Sequence, residues 1–172
     1  MTTVRKFKWI WAWEDDKEEA WLREMANQGL HLKSVGIPGI YTFEQGNPRD
    51  VAYRLDYPDT SKDYESYLQL FRDAGWEHIG QMSGWQYFCK EVVGGEAPEI
   101  FTDEESKAKK YKRVMVFVLM LMPILIISLT NLNERSGTFY RIFSFLMAFF
   151  ILFFSYALFR LWRRIEELKK KI

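Results

Sequence analysis

The 172-residue chain has a net charge of +1, is 48% hydrophobic and holds one cysteine, Cys89. This leaves room for one modest globular domain and a short membrane anchor, and it excludes an intramolecular disulfide. The charge is divided: residues 1–100 hold 11 Lys+Arg against 17 Asp+Glu, and residues 101–172 hold 13 against 6. An acidic head argues against nucleic acid as a partner, because phosphate contacts need clustered cations.

The chain opens on a strand predicted over Lys6 to Trp13, which by its period of two sets Phe7, Trp9, Trp11 and Trp13 on one face. This run is too short for a secretory signal and is broken by Lys8. A helix follows, with Asp15 or Asp16 as N-cap and Glu18 and Glu19 in its first turn. Gly29 ends it, in the left-handed position that glycine favours. A glycine-bounded turn, Gly36-Ile37-Pro38-Gly39, then joins two strands.

The pattern recurs. Shifted by 46, Phe7, Trp9 and Trp11 fall on Tyr53, Leu55 and Tyr57; Trp21, Leu22, Met25 and Gly29 fall on Tyr67, Leu68, Phe71 and Gly75. With one residue deleted, Gly39 to Phe43 falls on Gly84 to Phe88. A fixed offset of this kind is the trace of a duplicated supersecondary unit. In the second copy Thr60 or Ser61 is the expected cap, and Tyr64, Tyr67, Leu68, Phe71 and Ala74 form one helical stripe before Gly75. A turn at Gly80 to Gly84 closes the copy. The expectation is an α+β domain over residues 1–92, with repeats at about 5–45 and 51–91. Each repeat reads strand, helix, strand, strand, and the two helices cover one face of an antiparallel or mixed sheet.

Gly94-Gly95-Glu96-Ala97-Pro98 reads as a linker, and Asp103-Glu104-Glu105 as the start of a helix. Residues 93–113 form the linker and basic juxtamembrane segment. Val114 to Leu132 and Ile142 to Phe159 contain no charged residue, and the second run extends to Trp162. Nineteen helical residues cover about 28 Å, close to the hydrocarbon thickness. Two transmembrane helices are therefore predicted, at 114–132 and 142–162, joined by an extracytoplasmic loop, 133–141. Pro123 is expected to kink the first, and Ser144 and Ala148 offer a small-residue helix contact.

Lys107, Lys109, Lys110, Lys112 and Arg113 precede the first span; Arg163, Arg164 and a basic tail, 163–172, follow the second. Basic residues on both flanks predict a multi-pass protein of the cell membrane with both termini cytoplasmic. The same residues are candidates for contact with anionic lipid. With no ionisable residue at membrane depth, an anchor or assembly surface suits the helices better than a transport pathway.

Catalytic chemistry finds little support. Acids at Glu14-Asp15-Asp16 and Glu18-Glu19 suit a helix start better than a metal. His31 and His78 lack a second ligand at zinc spacing. Asp56 is expected to pair with Arg54 or a neighbour, and Cys89 to be a small apolar strand residue. No catalytic residue, metal or cofactor is predicted. The aromatic load stands out instead: residues 1–91 hold six Trp, six Tyr and four Phe. Packing accounts for much of it; the other reading is a groove between the halves that binds an apolar or cationic small molecule. Its candidate residues are Trp9, Trp11, Trp13, Trp85 and Tyr57.

Several runs carry a resemblance: Phe7-Lys8-Trp9, the segment from Glu18 to Leu32, Tyr53 to Tyr57, and Asp73 to Phe88. Over about residues 5–91 they resemble the bacterial domain of unknown function 2812, found mainly in Firmicutes. Its members commonly carry hydrophobic spans behind the domain, and it brings no catalytic residues to carry over. A duplicated strand–helix–strand–strand unit also looks like the fold of gyrase-inhibitor-like effector domains, which bind apolar or cationic molecules. The resemblances imply a membrane-anchored sensing or partner-binding module. The alternative is an accessory subunit packing on a larger membrane protein, or a homo-oligomer.

Overall fold

The computed structural model describes residues 2–59, 63–94, 97–100, 104–133 and 137–170. The expected caps Thr60 and Ser61 lie outside the described residues, as do Gly95 and Glu96 of the linker, Asp103, Arg135 and Lys171. The chain forms two compact units, Met1–Thr102 and Asp103–Ile172.

The first unit is α+β. Its first half runs β1 (Thr3–Phe7), α1 (Asp15–Asn27), β2 (Leu30–Gly36) and β3 (Ile40–Gln45). Its second half runs β4 (Val51–Asp56), α2 (Tyr64–Asp73), β5 (Glu77–Met82) and β6 (Trp85–Glu91). The strands divide into two antiparallel three-stranded sheets, ordered β1-β3-β2 and β4-β6-β5, rather than one sheet. Both β2 and β5 are bulged, between Leu32 and Ser34 and between His78 and Gly80. A bulge bends a strand and interrupts its ladder, and β2 and β5 lie side by side without joining the two ladders.

The helices also divide. The Glu18 carboxylate of α1 meets Tyr87, while Tyr67 and Phe71 of α2 pack on Phe88. Tyr87 and Phe88 are successive residues of β6, so the helices cover opposite faces of the β4-β6-β5 sheet. Beneath α2, Ala52, Leu68, Trp76 and Phe88 form a buried cluster, against which Val92, Ala97 and Ile100 pack. On the other side Trp21 of α1 stands edge-on to Tyr41 and Phe43 of β3.

Three local expectations are corrected. The first strand stops at Phe7, because β3 has run out. Lys8 N–H donates to Gly39 O at the β2–β3 turn, and the strand has no partner beyond that point. Trp9, Trp11 and Trp13 therefore do not alternate along a strand; Trp9 meets Trp11 edge-on and Trp11 stacks on Trp13. At the start of α1 the N-cap is Glu14, with no side-chain cap bond, while Asp15 and Glu18 turn inward. Asp63 caps α2, accepting from Ser66 N–H at 3.0 Å.

In the second unit α3 (Glu104–Asn133) and α4 (Thr138–Lys169) pack together, and both are long and apolar enough to cross a membrane. α3 continues as one helix through Pro123. Buried positions gather toward the basic ends, at Ala108, Tyr111, Val114 and Val118 on α3 and Ala157, Leu161, Ile165 and Leu168 on α4. Ser144 and Ala148 stay only half-buried. Lys109 and Lys112 are exposed, Arg163 is exposed beside Glu167, and Lys107, Arg113 and Arg164 are half-buried. Lys110 departs from the lipid-contact reading: it is buried, its ammonium 5.2 Å from the Tyr111 ring. It shares the inward stripe of Tyr111, Val114 and Val118, spaced as one helix face requires.

Gly29 and Gly75 close α1 and α2 with φ of +80° and +78°, the left-handed region where a Cβ is strained. A Cβ on Gly75 would meet only the end of Lys90, at 3.4 Å, whereas one on Gly29 would sit 2.5 Å from the Gly46 carbonyl oxygen. Gly75→Ala should cost about 1–2 kcal/mol, the usual left-handed penalty. Gly29→Ala should cost clearly more, since a backbone oxygen cannot swing aside. Thermal melts of the full chain in detergent check the order; equal losses would refute it.

Candidate functional site

Between the two β-hairpin turns lies a groove of about 240 Å³, just below the usual size of a small-molecule site. Ile37, Pro38 and Gly39 of the first hairpin and Met82, Ser83 and Trp85 of the second form two of its walls. Trp9, Ile10, Trp11 and Ala12, from the segment linking β1 to α1, form a third. Asp15, Glu18, Tyr41, Leu55 and Tyr87 complete it.

The polar centre is Glu18, only 6% exposed, beside Asp15 at 3%. Tyr41 and Tyr87 each donate their hydroxyl to Glu18 Oε1 at 2.7 Å. One residue from β3 and one from β6 thus converge on a single oxygen of α1. Burial raises the Glu18 carboxyl above the usual carboxylate range, and the two hydroxyl bonds and the more distant Lys8 only partly oppose it. The tyrosines rise as well, chiefly through burial and then through the facing carboxylate. Lys8 lies 4.4 Å over the Trp21 ring and lines the groove, where its charge opposes the rise at Glu18 least of all the causes.

Glu19, the next residue, holds the second half in place. Its Oε1 accepts from Leu55 N–H at 2.8 Å, and its Oε2 lies 3.5 Å from Arg54, which also pairs with Glu99 at 2.8 Å. Arg54 is therefore taken by Glu19 and Glu99, while buried Asp56 accepts from Tyr67 OH at 3.0 Å.

Of the residues predicted from sequence, Trp9, Trp11 and Trp85 line the groove directly. Trp13 is buried behind it, stacked on Trp11 at 5.4 Å, and Tyr57 stands edge-on to Trp85 at 5.7 Å. Glu18, Asp15, Tyr41 and Tyr87 were missed. A signal for the acids does exist: Asp15, Glu18, Leu22, Met25 and Ala26 follow one helical stripe whose other members are apolar. No such signal marks the tyrosines. His31 and His78 stand apart from the groove, bonded to Asn47 O and Gln86 Oε1. Among the described residues no three His, Cys, Asp or Glu side chains gather as a metal site. Burial lifts the Cys89 thiol to about 12.

Glu18 makes stability depend on pH. Its folded carboxyl binds a proton more tightly than in the unfolded chain, so its contribution is full below about pH 4. That contribution is lost as pH rises through the folded value. Every tenfold in proton affinity is worth about 1.4 kcal/mol. Glu18→Gln keeps an oxygen for both hydroxyls without the charge. Its stability relative to the parent chain should therefore climb as denaturation is measured from pH 4 to pH 8. A difference independent of pH would show that the carboxylate is not buried as described.

No curated protein and no solved structure matches the chain. A family model does, described as a protein of unknown function (DUF2812), over residues 14–122. The match runs past the second half into α3 and leaves Phe7, Trp9, Trp11 and Trp13 outside it. With most of its length covered, the chain belongs to the DUF2812 family.

Proposed function

We propose that this protein is a membrane-anchored module that binds a compact apolar cation in the groove around Glu18, with both termini in the cytoplasm. The observation that carries the reading is a buried carboxylate set among Trp9, Trp11, Trp85, Tyr41 and Tyr87. Left alone, such a group is raised toward neutrality; a bound cation would stabilise its charged form. Ring faces add cation–π attraction, about 0.5–2 kcal/mol each as water is excluded. Glu18 here acts as a counter-charge and not as a catalyst. A route to a readout follows from its neighbour, since Glu19 holds Arg54 and Arg54 holds Glu99 in the segment leading toward α3.

The topology rests on Lys107, Lys109, Lys112 and Arg113 before the apolar stretch of α3 and Arg160, Arg163 and Arg164 after that of α4. A reporter active only outside the cytoplasm, fused after Ile172, should be silent. Strong activity would reverse the orientation.

Trimethylphenylammonium is a suitable probe, pairing a fixed charge with one ring. Calorimetry on the full chain in detergent should give a Kd on the order of 10⁻⁵ M, since a few contacts must offset the cost of association. Affinity should rise with pH up to the Glu18 titration, about tenfold per pH unit below it, because binding displaces the carboxyl proton. Glu18→Gln should weaken binding at least tenfold and flatten this dependence. An unchanged isotherm would remove Glu18, and with it the proposed function.

A further inference from the structure

The β2–β3 hairpin ends in an apolar tip that the core does not use. Phe7 is 65% exposed, Trp9 57%, Ile37 72% and Ile40 40%. They are neighbours: Phe7 and Ile40 are cross-strand partners, Ile40 pairs with Gly36 next to Ile37, the Phe7 ring lies against Gly39, and Trp9 lines the groove with Ile37. Burying several aromatic and aliphatic side chains in water's presence is favourable, so a cluster left open marks an interaction surface.

We propose that this tip docks on an anionic bilayer surface. Charge is the first argument. Residues 1–13 hold Arg5, Lys6 and Lys8 and no acid, on a unit that is otherwise acidic. An anionic surface attracts that strand while the rest of the unit is repelled, so the charge orients the tip toward lipid. Side-chain type is the second. Trp and Phe beside Lys and Arg are the residues of the membrane interface, where a ring lies at headgroup level and an ammonium reaches phosphate. Size is the third. A few side chains of this kind expose only a few hundred Å² between them, well short of the roughly 800 Å² per partner of a stable protein interface. A unit whose own chain carries two candidate membrane helices needs far less, because the tether has already supplied the encounter. Ile37 also lines the groove, so docking would open the groove toward the lipid surface.

The test uses the full chain in nanodiscs with an environment-sensitive thiol label at Ile37→Cys. The label is placed in a Cys89→Ser background, because Cys89 is only half-buried. In discs containing phosphatidylglycerol, headgroup-region nitroxide lipids should quench the label several-fold more than one at Glu65→Cys, an exposed site on α2. Quenching should fall in phosphatidylcholine discs and in the Arg5→Gln, Lys6→Gln variant. Glu18→Gln should leave it unchanged, so loss of cation binding and loss of docking remain separable. Equal quenching at the two sites would overturn the proposal. So would shielding at 37 that ignores nitroxide lipid and grows with the number of chains per disc, which would assign the tip to a second copy.

Discussion

The carboxylate of Glu18 is the point on which the first unit turns. It sits on α1, yet both its hydrogen bonds come from sheets that are separate hydrogen-bonded ladders. Taking a carboxylate out of water costs several kcal/mol, and two hydroxyl donors return only part of that. A leucine there would pack at lower cost, so the acid is poorly explained by stability alone. What it does provide is register. Tyr41 and Tyr87 can reach the same oxygen only if both hairpins stand at a fixed height relative to the first turn of α1.

That height defines the groove. The hairpin turns stand on either side of Glu18, and Trp9 and Trp11 close the third side, with Trp13 stacked on Trp11. A strand running to Trp13 would have set the three rings in a row along one face, two residues apart. Ending the strand at Phe7 lets Trp11 lie flat on Trp13, which gives the wall a rigid backing. The second hairpin is stiffened in a different way: Ser83 and Gly84 both adopt positive φ, the two-residue turn that matches strand twist. A Cβ on Gly84 would come within 2.7 Å of the Tyr57 ring, so Tyr57 supports Trp85 only with glycine at that position.

α1 also links the groove to the end of the unit. Successive acids divide the labour, Glu18 facing the rings and Glu19 facing Leu55 N–H and Arg54. Arg54, whose side chain is mostly enclosed, bonds Glu99, while Ala97 and Ile100 nearby pack against the α2 cluster. A shift of the first turn of α1 would therefore be felt at residues 97–100 through one ion-pair network.

Much of this protein is legible in its amino acids alone: the α+β class, the helix-closing glycines at 29 and 75, the stripe on α2, and the two long apolar helices. Each is written in local periodicity or in a residue's own backbone preference, which neighbours in sequence suffice to express. The sequence also supplied the aromatic candidates, since Trp9, Trp11 and Trp85 are conspicuous as residues wherever they lie. That β1 stops at Phe7 came from the three-dimensional packing, because a strand's length depends on how far its partner runs. It alone decided that the strands make two sheets and that Lys110 turns inward. Above all it decided that Glu18 is more than a first-turn acid: its role depends on Tyr41 and Tyr87, 23 and 69 residues away. No period in the chain spans those distances, and the carboxylate's meaning comes from side chains that only packing brings together.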